Sequence, residues 1–465
     1  MTAYVVYLAT FAAFWVGFKH SPQQAFIRVY IPCLLFLPDY YRAFTPGLPD
    51  PNSSQAASVG LLAASLLKGF PGYKFSWMDL VAVGYAFCCG YSEFLASGYN
   101  DAQNLIFFML FSIALPYFYA KSYIEPHGLR FVFGRKVLII LVAVSILSLY
   151  ETRLGINLWH LILGRLFPGQ GEGWVVTFRF GLARAAGPYG HALICGIIMA
   201  AGFRLARWLQ WSEAWPAAWP GKLQFLAWLP MKPGAFVSLV LAGGLFISMA
   251  KGSWVAAIIG TLLIVVGRAR NRTLAVSIVV AAIVFVIIPA AVLFINWASV
   301  GRANAQSDNQ ETAAYRYELV VEYMDIAAQR ADWGWGLNKW PEVLGMPSID
   351  NHYLLIFLMH GRWAFYLFLI VLIGTPIRLV AYALRAPPAP LRGGSLPFTL
   401  ASIYLIYLIN LGTVFMGMQS ATLLFILTGW SEAIILFKKV DTLVDGGGAA
   451  PETGNQRKGG FRRVL

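Results

Sequence analysis

Charge is scarce in this chain. Asp, Glu, Lys and Arg make up 12% of its 465 residues, about half of what a soluble domain of that length carries. Hydrophobic residues make up 58% and the mean hydropathy is +0.64, with apolar runs recurring along almost the whole length. That excludes a globular domain on a single anchor and points to a polytopic membrane protein. The runs lack the strict polar–apolar alternation of an outer-membrane barrel, so the spans read as helices. No P-loop, HExxH, GxSxG or CxxC is present, and the six histidines (20, 127, 160, 191, 352 and 360) do not fall at zinc spacing. The four cysteines, Cys33, Cys88, Cys89 and Cys195, lie inside apolar runs and read as small core residues. The N-terminus has no basic n-region and no small-residue cleavage site, as expected of a retained first helix.

The expected fold is all-α: a polytopic membrane bundle of about 12–14 transmembrane helices with a large extracytoplasmic loop carrying amphipathic helices. Candidate spans fall near 2–18, 24–40, 56–72, 79–98, 103–121, 135–151, 187–206, 233–250, 252–268, 273–297, 352–379, 395–414 and 417–437. They form one membrane domain, 1–437, followed by a basic tail, 438–465, expected to be disordered and cytoplasmic. The net charge of +14 suggests no nucleic-acid partner, because most of the excess lies at one set of loop ends. Placing the tail inside also puts Arg378, Arg385, Arg392, Arg268, Arg270, Arg272, Arg204, Arg207, Arg130, Arg135 and Lys136 on that side, in agreement with the positive-inside rule.

Two long segments then face outward, 152–186 and 298–351, and loops of that length between packed helices are more often functional than filler. The first carries Arg153, Arg165, Arg179 and Arg184 against Glu172, contrary to the charge rule. Arginine offers a planar, permanently charged fork suited to phosphate oxygens. Arg184 and Arg179, before a Gly-Pro break, with His191 about a turn into the next span, therefore read as a cradle for a diphosphate. Contacts with lipid headgroups are the alternative reading. Lys251, in the turn Lys251-Gly252, adds positive charge to the same face. In the second segment, Leu319, Val320, Tyr323, Ile326 and Ala327 share a helical face over 315–330, which predicts an amphipathic helix against the bilayer with Arg316 at its N-terminal end. The stretch ADWGWGLNKWPEVL, 331–344, supplies Trp335 for stacking on a sugar or anchoring at the interface. Asp350-Asn351-His352 then stands at the mouth of a span.

In order and topology these blocks resemble the O-antigen ligase and O-antigen polymerase superfamily, integral-membrane glycosyltransferases of the GT-C type. The resemblance is carried by Arg184-Ala-Ala-Gly187-Pro-Tyr-Gly190, Lys251-Gly252, Arg316, Gly334-Trp-Gly336, and Asn351 followed by nine residues to Gly361. It implies transfer of an undecaprenyl-diphosphate-linked oligosaccharide to a glycan or lipid-linked acceptor. The reaction would occur at the periplasmic side of a bacterial inner membrane, with inversion and with neither metal nor other cofactor. Membrane lipids and other polysaccharide assembly proteins are the further partners it implies. Asp350, His352 and Arg316 would be catalytic; Arg184, Arg179, Lys251, His191, Asn351 and Trp335 would bind diphosphate or sugar. The ligase pattern has His directly before Asn where this chain has Asp350, and that difference favours an O-antigen or exopolysaccharide polymerase over a ligase acting on lipid A-core. A flippase for the same lipid-linked glycan is the reading from another class. It would need polar residues in mid-span.

Overall fold

In the computed structural model the described residues are 2–171, 176–219, 221–346, 348–385 and 395–437. Glu172, Arg392 and the expected tail, 438–465, lie outside them. Fifteen helices are described: α1 (Ala3–Lys19), α2 (22–36), α3 (Ser53–Lys68), α4 (Trp77–Ser97), α5 (Tyr99–Tyr123), α6 (Arg130–Leu154), α7 (Leu158–Leu163), α8 (Ala192–Trp211), α9 (Pro233–Ile247), α10 (Lys251–Arg268), α11 (Arg272–Ala298), α12 (Asp308–Gln329), α13 (His352–Arg385), α14 (Leu396–Leu411) and α15 (Met418–Leu436). Eight are long and apolar enough to cross a membrane, and α1, α9 and α14 are shorter apolar helices. The described chain is thus an all-α polytopic membrane protein.

Helix starts follow local chemistry. Asn52 and Gln55 form a reciprocal capping box at α3, Ser307 accepts the Gln310 amide at α12, and Pro233 and Pro397 occupy first turns that need no donor. α15 and α8 run through the centre, enclosed on nearly all sides. α15 packs on α5, α8 on α9, and α10 on α14. Their meeting surfaces are small residues and aromatics: Gly429 lies directly on the Tyr117 carbonyl, while Trp430 packs edge-on to Phe133 and Trp208.

The two ends of the bundle differ. One, the basic end, carries the Asp79–Lys121 and Glu432–Arg378 ion pairs and the Arg130–Glu125 pair, whose Glu125 also accepts from the Trp430 indole at 2.6 Å. The other, the loop end, gathers residues 37–52, 155–171, 176–191, 299–346, 348–351 and 412–417. There Gln419 donates to the Leu34 and Leu37 carbonyls, and the Trp159 indole to that of Phe36.

Two expectations for the loop end are corrected. The amphipathic helix begins at Asp308, so Arg316 lies in its third turn rather than at its start, because Ser307 supplies the cap. Its buried face, Leu319, Tyr323 and Ala327, packs on Met346, Ile349, Leu354 and Leu358. It therefore covers protein, and the Tyr323 hydroxyl donates to the Met346 carbonyl at 2.8 Å.

The second correction concerns α13, which is not one straight span from residue 352. Gly361 has φ +73° and ψ −175°, a conformation essentially restricted to glycine. The ring of His352 lies 5.6 Å from that of Phe368, whereas a straight helix would separate them by about 24 Å. Residues 352–360 are thus a short leg folded back on the true span, which starts at Arg362. The break leaves the Leu358 and Met359 carbonyls without helical donors. The amides of Trp335 and Gly336 supply them at 2.9 Å each, and the Arg362 amide donates to Ala331 at 2.7 Å. The Ser92 hydroxyl in α4 lies 2.5 and 2.9 Å from the carbonyls of Trp333 and Met359, and Glu93 accepts the Leu337 amide at 2.6 Å. Gly334-Trp-Gly336 and the Gly361 break, separate blocks in the sequence, form one joint.

Candidate functional site

The arginine segment is built on the end of α9. Phe178–Arg179 and Leu182–Ala183 pair as a two-stranded hairpin around Phe180 and Gly181, both with positive φ, the backbone such a tight turn demands. Arg179 Nη1 donates to the Met249 carbonyl at 2.6 Å, Arg184 Nε to Ser248 at 3.3 Å, and the Ala185 amide to Ile247 at 3.1 Å. Carbonyls at a helix C-terminus carry partial negative charge, which holds both guanidiniums at this edge. Arg184 Nη2 is buried and has no partner. Burial, and then the charge of Arg179, lower the Arg184 pKa from the usual arginine range.

The turn after Arg184 is fixed from below by two residues that the sequence reading did not single out. Gly187, at φ +60°, donates its amide to Glu151 Oε2 at 2.8 Å. Asn157 Nδ2 bridges Glu151 Oε1 at 3.1 Å and the Gly187 carbonyl at 2.8 Å. Glu151 and Asn157 are almost wholly buried. A carboxylate inside an apolar run was the one available signal. Glu151→Ala would leave two buried donors unpaired, and should destabilise the protein by about 1–3 kcal/mol. Glu151→Gln keeps one acceptor and should lose less. Thermal unfolding in detergent reads both, and equal stability of the three proteins would show that the carboxylate does not hold this turn.

His191 is not inside a span; it caps α8, with Nδ1 accepting the Leu193 amide at 3.1 Å. Its ring lies 6.3 Å from that of Phe415. The next residue, Met416, donates its amide to His352 Nδ1 at 3.3 Å. His352 is buried, with Nε2 unpartnered. Burial and the Arg184 charge lower the His191 pKa, while the Asp350 carboxylate raises it. Arg184, His191 and Asp350 therefore share one electrostatic neighbourhood, and His352 joins it through the 415–416 backbone.

Asp350 is exposed and accepts from the Ser348 hydroxyl at 3.1 Å. It makes no contact with His352, because the Asn351 cap, accepting the Tyr353 and Leu354 amides at 3.0 and 3.2 Å, turns the imidazole inward and leaves the carboxylate outside. Lys251, the exposed first residue of α10, stands two positions after the carbonyl held by Arg179. Arg316 is exposed on α12 and stands apart from this group. Trp335 belongs to the joint: its indole donates to the Ile326 carbonyl at 3.0 Å and the Arg330 guanidinium lies 4.3 Å over its ring. Among the described residues no group of three or more His, Cys, Asp or Glu side chains is placed to hold a metal.

These features define an integral-membrane helix bundle with Arg179, Arg184, His191 and Asp350 at its loop end. Residues 236–369 match the family model described as O-antigen ligase, which supports a place for the chain in the O-antigen ligase/polymerase superfamily and, generally, a glycosyltransferase-like function of ligase or polymerase type. The matched stretch runs from α9 through the folded-back leg of α13, so it contains Lys251, Arg316, Trp335 and Asp350-Asn351-His352 but not the arginine hairpin. No curated protein matches the chain.

Proposed function

We propose that this protein is a polysaccharide polymerase. It would join a glycan carried on undecaprenyl diphosphate to an acceptor sugar at the periplasmic face of the inner membrane. The observation that carries the reading is the shared neighbourhood of Arg184, His191 and Asp350, with an unpaired Arg184 nitrogen left for a ligand. The acceptor hydroxyl attacks the anomeric carbon from the side opposite the diphosphate; a C–O bond forms, the bond to the diphosphate oxygen breaks, and configuration inverts without a metal. Arg184, with Arg179 and Lys251, takes the charge growing on the departing diphosphate. Asp350 accepts the hydroxyl proton. His191 and His352 lie beside this group, Asn351 fixes the Asp350 turn, and the exposed Arg316 of α12 would serve the diphosphate as a further cation.

The ligase description of the matched family favours a second reading, transfer of the same donor to lipid A-core. Reconstitution with a lipid-diphosphate oligosaccharide separates the two. The polymerase yields chains of increasing length on the lipid carrier, whereas a ligase yields glycosylated lipid A-core. Movement of the donor across the bilayer with neither product would identify a flippase and sink both enzyme readings.

A further inference from the structure

At the basic end, opposite the proposed catalytic mouth, three arginines crowd together without a counter-ion. Arg204, in α8, is 3% exposed. Its Nη1 donates to the Thr261 hydroxyl of α10 at 2.8 Å, and its Nε is buried with no partner. Arg207, one turn on, feels the charge of Arg268, and Arg204 that of Arg207. The guanidiniums of Arg207 and Arg268 both lie over the Trp211 ring, at 4.8 and 3.7 Å. Arg268 Nε is also buried and unpartnered. No carboxylate among the described residues pairs with any of the three. Glu213, near in sequence, itself has positive φ and is exposed.

A guanidinium so enclosed is costly unless an anion accompanies it. Three of them repelling one another at the edge of a bundle are electrostatically incomplete. We infer that Arg204, Arg207 and Arg268, with Thr261 and Trp211, form a binding site for a phosphate group, and that the phosphate is that of an anionic phospholipid. The unpaired nitrogens call for an acceptor with several oxygens. Two features identify the source as lipid. Arg204 lies about 10 Å inside the end of α8, a depth that a leaflet headgroup reaches by dipping between helices. The adjoining outer surface of α10, Ile258, Leu262 and Val265, is exposed and apolar, and acyl chains would lie along it.

The full chain, purified and stripped of lipid in detergent, would be titrated with phosphatidylglycerol, with diacylglycerol bearing the same chains, and with inorganic phosphate. Bound lipid is read by native mass spectrometry and stability by thermal unfolding. Phosphatidylglycerol should bind and raise the unfolding temperature; diacylglycerol should not. The double variant R207Q/R268Q should bind phosphatidylglycerol roughly tenfold more weakly. Arg204→Met serves as a second probe: without lipid it should resist heat better than the natural protein, since an unpaired buried charge is gone, and it should lose the lipid-induced rise. Equal phosphatidylglycerol binding by all three proteins overturns the site. Stabilisation by inorganic phosphate and not by phosphatidylglycerol overturns the lipid assignment. Either failure leaves the proposed glycan transfer untouched, because that reading concerns the other end of the bundle.

Discussion

Arg184→Ala is expected to lower glycan transfer by roughly 10²–10³ while the protein accumulates normally, the loss typical when one preorganised donor to a developing anion is removed. Arg184 hydrogen-bonds the Ser248 carbonyl through Nε and keeps Nη2 buried and unpaired, so the side chain is anchored before any ligand arrives. Anchoring removes the ordering cost at the moment charge appears on the leaving diphosphate. Arg184→Lys retains the charge but not the planar fork, and should recover only part of the rate. Asp350→Asn should abolish product as well, because the amide cannot take the proton of the attacking hydroxyl. Chain-length analysis of the product, beside an immunoblot for the protein, checks both. Normal polymer from both variants would remove these assignments. A headgroup contact at Arg184 would instead give a small loss, largely independent of the donor's diphosphate.

Gly361→Ala should have a large structural effect in the loop region. At φ +73° and ψ −175° an alanine is strained by about 1–3 kcal/mol. Its Cβ would also collide with the backbone carbonyl of Asp332. Neither can relax cheaply, since the Arg362–Ala331, Trp335–Leu358 and Gly336–Met359 backbone bonds hold both sides of the break together. The expected outcome is a bundle whose 330–350 segment has lost its seat, read as faster proteolysis within that segment and a lower unfolding temperature in detergent. Activity should fall with it, because Asp350 stands just before the Asn351 cap of the folded-back leg. Unchanged proteolysis would show that the joint tolerates a side chain and that Gly361 is not required for the fold.

The spans were legible because lipid demands long apolar runs and internally satisfied backbone, a constraint strong enough to be read residue by residue. The Asn351 cap was legible for a related reason: side-chain bonding to the first amides of a helix is local. Arg184 and Arg179 were conspicuous as cations in the loop face. What they rest on was not, since the α9 carbonyls and the Glu151–Asn157 brace come from segments far apart in sequence. The same holds for Ser92 and Glu93, which look like stray polar residues at the end of an apolar helix until Trp333, Leu337 and Met359 arrive beside them.

The sequence by itself determined an all-α polytopic membrane protein and the rough position of its long apolar helices. Only the tertiary structure decided that α13 folds back at Gly361, that His352 faces inward while Asp350 faces out, and that Arg316 stands apart from Arg184. The physical reason is range. Partition into lipid and helix capping act within a turn or a run of neighbours. A carbonyl freed by a broken helix, or a guanidinium lacking a partner, is answered by whichever distant segment the packing brings within about 3 Å.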